Sequence, residues 1–249
     1  MRNWRFITGA KLPFGHNKIY ISQPTMKELS EVFETENDFL KIIQVLNHTR
    51  ETLKKQVGED IPVENNYYVF LSILKSSIMN GDLGLEELLL KFFQLLFKDF
   101  QVEFSSSGIS VSNNEDVFIF IDENNYDQFQ NIIREIFCLK ELFGNQEIIT
   151  DYNPQSARAK RIADQLKKRH DTLAKIEKES EGKSVFANYI DIVSVDLKTS
   201  INEINNYTLY QLMTTMQRLN LLEAFEIDLK VRLAGGDPKR ETEHWKKIM

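Results

Sequence analysis

Residues 100–122 read FQVEFSSSGISVSNNEDVFIFID, and their character differs from the helical patterns around them. β-Branched and aromatic residues fill three short runs, which is typical of β-strands. The runs are joined by SSSG (105–108) and NNED (113–116), whose small polar residues and glycine adopt turn conformations readily. The stretch therefore predicts three short strands in a small antiparallel β-meander.

Helical patterns lie on both sides of the meander. Residues 83–97 carry apolar side chains at helical spacing, and a further helix is predicted to begin at Asp122 or Asn124. Another apolar pattern begins at Phe39 and predicts a helix that could extend through residues 49–55.

The patterns nearer the N-terminus are less regular. The first 21 residues are predicted to be extended. Ser22 is predicted to cap the next helix, with Pro24 near its first turn, where a missing backbone N–H is tolerated. Residues 68–74 fit either a helix or a buried strand.

The last hundred residues are predicted to be nearly all helix. Asn153 is predicted to cap a basic amphipathic helix that ends near Lys178. Apolar patterns over residues 185–197 and 207–233 predict two more helices. Asp237 is predicted to cap a short final helix.

Together these patterns predict an α+β fold that is mostly α-helical, with N-terminal helices, the meander at about 100–122 and a C-terminal helical bundle. Two parts are expected, an α+β part over residues 1–148 and a helical part over residues 149–249. The linker QEIITDYN is short, so the two parts are expected to pack together.

Composition limits the class of protein. Of the 249 residues, 42% are hydrophobic and 27% are charged, which predicts a sizeable core and a soluble chain. No apolar run approaches the roughly 20 residues that span a bilayer, so no membrane association is expected. The net charge of -6 argues against a dedicated nucleic-acid binder. The single cysteine, Cys138, is expected to be buried and reduced.

Motifs for catalysis or metal binding are missing from the sequence. The four histidines have no metal-ligand spacing, and there is no CxxC, HExxH, phosphate-binding glycine loop or GxSxG. Asp191 and Asp196 are five residues apart and would not share one helix face. The chain is therefore expected to have no enzymatic activity, no cofactor and no metal, with an unrecognised active site as the alternative.

The predicted helix 157–178 is a candidate charged surface. Arg158, Arg161 and Lys168 fall on one stripe of it. Acidic residues are interleaved at spacings that favour ion pairs, and no aromatic residue is available to stack on bases. A solvated face is therefore favoured, and a nucleic-acid interface is the alternative.

A second candidate surface lies in the last third of the chain. A groove for a partner helix could be formed by Tyr207, Tyr210, Met213, Met216 and Phe225, because methionine side chains adapt to many shapes. An ordinary buried helix is the favoured alternative. Trp245 is either a latch on the bundle or an anchor on a partner.

Several phrases carry a resemblance to a group of phage proteins. They are IYISQPTMKEL (19–29), YNPxxxxAKRIADQLKKRH (152–170), YIDIVSVDL (189–197), INEINNYTLYQL (201–212) and AGGDPKRETEHW (234–245). In this order they resemble tail assembly chaperone-like and uncharacterised tail-region proteins of long-tailed, siphophage-type bacteriophages of Gram-positive bacteria. The opening ITGAKLP (7–13) departs somewhat from the Leu-Thr-Gly-Gly type of that group.

The resemblance implies a non-enzymatic tail assembly chaperone in the cytoplasm of the infected host. Its implied partners are the tape-measure and tail-tube proteins, and self-association is left open. Such chaperones are thought to coat the long helical tape measure, whose uncovered apolar stripes would otherwise aggregate. The alternative is a structural virion component, such as a tail-completion or baseplate-associated protein.

Overall fold

The computed structural model describes residues 4–57, 65–79, 83–105, 108–113, 118–139, 152–153, 184–234 and 237–238. The chain forms two compact units. One consists of residues 1–142 with 202–211, and the other consists of residues 143–201 with 212–249. Among the helices in the described ranges, none is both long enough and apolar enough to cross a lipid bilayer.

Helices dominate the described ranges, and short antiparallel sheets accompany them. The helices are α1 (Trp4–Thr8), α2 (Met26–Val32), α3 (Glu36–Asn47), α4 (Arg50–Val57), α5 (Asn66–Met79), α6 (Leu83–Leu96), α7 (Tyr126–Ile136), α8 (Val185–Leu197), α9 (Ile201–Ile204) and α10 (Leu209–Leu233). The strands are β1 (Leu12–Phe14), β2 (His16–Ile21), β3 (Gln101–Ser105), β4 (Gly108–Ser112), β5 (Phe118–Ile121), β6 (Tyr152–Asn153) and β7 (Asp237–Pro238). The predicted mostly helical α+β fold is confirmed.

The predicted β-meander is also confirmed, with the strand order β3-β4-β5. Val102 lies opposite Val111, which lies opposite Ile119, and all three are buried. Side chains alternate between the two faces of a sheet, so the neighbouring positions Phe118 and Phe120 are exposed. The face of the meander that carries Val102, Val111 and Ile119 is therefore the one that joins the core.

An aromatic cluster forms the core of the first unit. Phe93 of α6 stacks on Phe129 of α7 with ring centroids 5.2 Å apart, and Phe39 of α3 meets Phe137 edge-on at 5.3 Å. Phe14 of β1 contacts Phe129 at 5.9 Å. Each such ring pair stabilises the fold by about 0.5–1.5 kcal/mol beyond the free energy that comes from burying its apolar area. The cluster links β1 and three helices that are distant in sequence.

α7 also closes the carboxyl end of α3 with polar side chains. Gln130 Nε2 donates to the carbonyl oxygens of Leu46 (2.7 Å) and His48 (3.0 Å). Arg134 Nε donates to Asn47 Oδ1 at 2.6 Å. The last carbonyl groups of a helix have no partner within the helix, and a cation is favourable at that end. Two side chains of α7, Gln130 and Arg134, thus supply hydrogen-bond donors to acceptors at the end of α3.

Two predictions near the N-terminus were wrong. Residues 4–8 form α1, although the segment was predicted to be extended. The cap of α2 is Thr25, not Ser22: the Thr25 hydroxyl accepts from the Glu28 N–H and the Glu28 carboxylate accepts from the Thr25 N–H. This reciprocal capping box requires an acidic or amide residue three positions after the cap, and Ser22 has Thr25 there.

Other boundaries differ from the predicted ones in smaller ways. α3 does not continue through residues 49–55, because His48 adopts an extended ψ of 133° and α4 begins anew at Arg50. Residues 68–74, for which the sequence fitted either a helix or a buried strand, lie in the helix α5. α7 begins after Asn125, whose side chain accepts a hydrogen bond from the Asp122 N–H at 3.1 Å.

The second unit contains α8 and most of α10. Ser184 caps α8 by accepting from the Ala187 N–H at 3.1 Å. β6 and β7 pair, so Asp237 and Pro238 lie in a strand and not at the start of the predicted final helix. The predicted helix that ends near Lys178 lies outside the described residues.

Candidate interaction surface

The structure describes some of the predicted surface residues and leaves others out. Arg158, Arg161, Lys168 and Trp245 lie outside the described ranges. Of the predicted groove, Tyr207 lies just before α10. The first turns of α10 contain Tyr210, Met213 and Met216.

The loop before α10 accepts hydrogen bonds from the start of α2. The Met26 N–H donates to the Tyr207 carbonyl at 2.8 Å, and the Lys27 N–H donates to the Asn205 carbonyl at 2.9 Å. The first N–H groups of a helix lack partners within the helix, so an outside acceptor stabilises them. Thr25 and Thr208 also form an antiparallel bridge. Segments about 180 residues apart in sequence are therefore joined through their backbones.

α10 also begins with a capping box. The Thr208 hydroxyl accepts from the Gln211 N–H at 3.2 Å, and Gln211 Oε1 accepts from the Thr208 N–H at 2.8 Å. Gln211 Nε2 donates to the Ile7 carbonyl at 2.8 Å. One side chain therefore caps α10 and also holds the last turn of α1.

Gln23 also forms hydrogen bonds with α1 and with the turn that follows it. It is buried, and its Nε2 donates to the carbonyl oxygens of Arg5 (2.9 Å) and Ala10 (2.6 Å). Gly9, at φ +67°, lets the chain turn out of α1. A Cβ at Gly9 would lie 3.4 Å from Thr208 Cγ2, which is ordinary contact, so φ is what favours glycine there.

These contacts bring two of the phage-like phrases together. Gln23 and Thr25 belong to the phrase over residues 19–29, and Tyr207, Thr208 and Gln211 belong to the phrase over residues 201–212. Their side chains and carbonyls are used in caps and backbone pairing. Much of the sequence pattern in these two phrases therefore builds the first unit.

The methionine and aromatic residues of the predicted groove are mostly buried. Tyr210 and Met213 are each 4% exposed and Met216 is 8% exposed, while Tyr207 is half-buried. The Tyr210 ring lies 5.3 Å from the Phe6 ring. The burial favours the alternative of an ordinary buried helix for these three side chains, because a partner helix could not reach them in this conformation.

A different apolar surface was not singled out from the sequence. Val185, Ile192 and Val195 on α8 are all more than 40% exposed. The signal in the sequence is their spacing within VFANYIDIVSVDL, which places them along one side of a helix. Periodicity shows two apolar sides on this helix but does not show which one the fold covers.

Side chains suited to metal binding do not cluster in the described part of the chain. No set of three or more His, Cys, Asp or Glu side chains there could hold a metal ion. Cys138 is buried, as predicted. Burial lowers the pKa of His48, whose carbonyl accepts from Gln130. The neutral imidazole is therefore favoured at His48.

Comparison with known families gives a match in the last part of the chain. Residues 177–249 match a family model described as YomV second domain. The family is phage-derived, which agrees with the resemblance to phage proteins of Gram-positive bacteria. Neither the curated proteins nor the solved structures give a significant match. The matched segment contains α8, α9, α10 and Trp245, but not the basic stripe at Arg158, Arg161 and Lys168.

Proposed function

We propose that this chain is a non-enzymatic tail assembly chaperone of a bacteriophage. It binds the tape-measure or tail-tube protein in the cytoplasm of the infected host and is released before the virion is complete. The observation that carries this proposal is the match of residues 177–249 to a phage-derived domain family, in the segment where three of the tail-protein phrases lie.

The distribution of exposed apolar side chains supports a binding role for the matched segment. Half of the exposed large hydrophobic side chains in the described ranges belong to α8, α9 and α10. Contiguous exposed apolar surface is typical of protein-binding sites. A tape measure is a long helical protein, and helices bind partners through apolar stripes. A chaperone with an exposed apolar helix suits such a partner.

Affinity capture from infected cells, paired with mass spectrometry of purified virions, tests the proposal. The tagged chain should recover tape-measure or tail-tube protein and should be missing from finished particles. The same tag on an unrelated phage protein is the control for non-specific capture. Stoichiometric presence in virions would replace the chaperone with a structural tail component. Recovery of nucleic acid instead of tail proteins would favour the basic stripe as the functional surface.

A further inference from the structure

α8 leaves one apolar side of its surface uncovered. Val185, Ile192 and Val195 are 46%, 44% and 74% exposed, although large aliphatic side chains are usually buried. The helix already has an interior side, where Phe186 and Val193 are buried. α8 is therefore apolar on two sides, and among the described residues the buried side is that of Phe186 and Val193.

The uncovered residues follow a seven-residue repeat. Val185 and Ile192 are seven apart, and Asn188 and Val195 are seven apart and three residues further on. These are the spacings of the a and d positions that face a partner in a coiled coil. We name these four residues the α8 seam. Asn188 is exposed like the others, and a polar residue in such a seam fixes the register with the partner.

Two carboxylates flank the α8 seam. In the same repeat Asp191 takes position g and Asp196 takes position e, one on each side of the seam. Both side chains are exposed. Residues at e and g meet the flanking residues of a partner helix, so their charge selects the partner.

A second copy of α8 does not fit this charge pattern. In a parallel pair, position g of one helix faces the next position e of the other, so Asp191 would meet Asp196. In an antiparallel pair with the two seams aligned, g faces g, so Asp191 would meet Asp191 of the other copy. Like charges at these positions are destabilising in either orientation. Lysine or arginine at the flanking positions of a partner would instead form ion pairs.

We propose that the α8 seam binds an amphipathic helix of a partner protein, whose apolar stripe is flanked by lysine and arginine. α8 has this chemistry whatever role the protein plays in tail assembly. The seam spans only two heptads, so binding is expected to be about micromolar or weaker. Such affinity suits a partner that is bound and later released.

Two designed peptides of about 28 residues test the proposal directly, a length that supports helix formation. Both carry leucine and isoleucine at a and d, and one carries lysine while the other carries glutamate at e and g. Fluorescence anisotropy with the full-length protein should show at least about tenfold tighter binding of the lysine peptide at low salt, with the preference falling as salt is added.

Surface variants locate the binding site. Ile192→Glu and Val195→Glu replace exposed side chains, so the fold should persist while lysine-peptide binding falls at least about tenfold. Leu233→Glu, at a 78% exposed position near the end of α10, is the matched control and should bind as the parent does. Equal loss in all three variants would overturn the assignment to α8.

A charge reversal tests the selection of the partner. The double substitution Asp191→Lys with Asp196→Lys should exchange the preference, so that the glutamate peptide binds more tightly. Equal binding of both peptides, or binding of neither, would overturn the proposal. Sedimentation equilibrium supplies one more outcome: a dimer of the parent chain that Ile192→Glu dissociates would assign the seam to a second copy.

Discussion

At the scale of single residues, Gln130 makes the most consequential polar contact of α7. It is 2% exposed, and its two donor hydrogens are used by the Leu46 and His48 carbonyls. Gln130→Ala would leave the carbonyls of Leu46 and His48, at the end of α3, without this donor and would open a small cavity. We expect a loss of about 1–3 kcal/mol in the free energy of unfolding, measured by urea denaturation.

Two further variants separate hydrogen bonding from helix propensity. Gln128→Ala, at an exposed position of the same helix, makes the same chemical change and should stay within about 0.5 kcal/mol of the parent. Gln130→Glu keeps the shape but places a carboxylate against two carbonyl oxygens. Its stability should be lowest at neutral pH and should recover in acid, as the carboxyl group gains a proton. If neither Gln130 variant changed the free energy of unfolding, the proposed capping of α3 would be contradicted.

At the scale of elements, the capping box of α2 is tied to the end of α6. Burial alone would raise the pKa of Glu28, but the hydrogen bond from Lys98 and that from the Thr25 N–H outweigh it, and the pKa is lowered from 4.5. The ionised carboxylate therefore stabilises the fold above about pH 4.5, and the contribution is lost as the pH falls through the lower folded pKa.

Substitution of Glu28 by glutamine isolates that contribution. Glu28→Gln can still accept from the Thr25 N–H but cannot pair with the Lys98 ammonium. Because the ion pair is partly exposed to solvent, we expect a loss of no more than about 1 kcal/mol at pH 7. The gap in urea midpoint between parent and variant should close as the pH falls below 4.5 and through the lowered folded pKa of Glu28. A gap that persists at pH 3 would assign the effect to the cap alone.

Local pattern was enough to predict most elements. The β-branched and aromatic runs in residues 100–122 predicted three strands, and the helical spacing in residues 83–97 predicted α6, because each pattern is local to one element. α1 could not be predicted in this way. Its five residues are too short for periodicity, and it is held by Gln23 and Gln211, which lie outside it.

The candidate surface was less predictable for a related physical reason. The sequence shows that Tyr210 and Met213 lie along an apolar side of α10, but only the fold shows that they are buried. Conversely, Val195 reads as an ordinary apolar residue of α8 and is 74% exposed. Periodicity identifies apolar sides of a helix, whereas exposure depends on contacts made by residues far away in the chain.

At the scale of the whole molecule, the first compact unit contains residues 202–211, so its residues are not contiguous in sequence. A fragment of residues 1–148, the N-terminal part predicted from sequence, lacks the carbonyls of Asn205 and Tyr207. In the full chain these accept from the Lys27 and Met26 N–H groups. We expect hydrogen exchange at those two amides to be faster in the fragment than in the full chain, because unpaired amides at a helix start exchange readily.

The amide of Phe97 provides the internal reference for that experiment. It donates to the Phe93 carbonyl within the first 148 residues, so the fragment keeps both groups. Exchange should therefore rise more at Met26 and Lys27 than at Phe97. A uniform rise would indicate that the fragment is unstable as a whole, which would make residues 202–211 necessary for the unit to fold. Unchanged exchange at Met26 and Lys27 would mean that the first 148 residues protect the start of α2 without them.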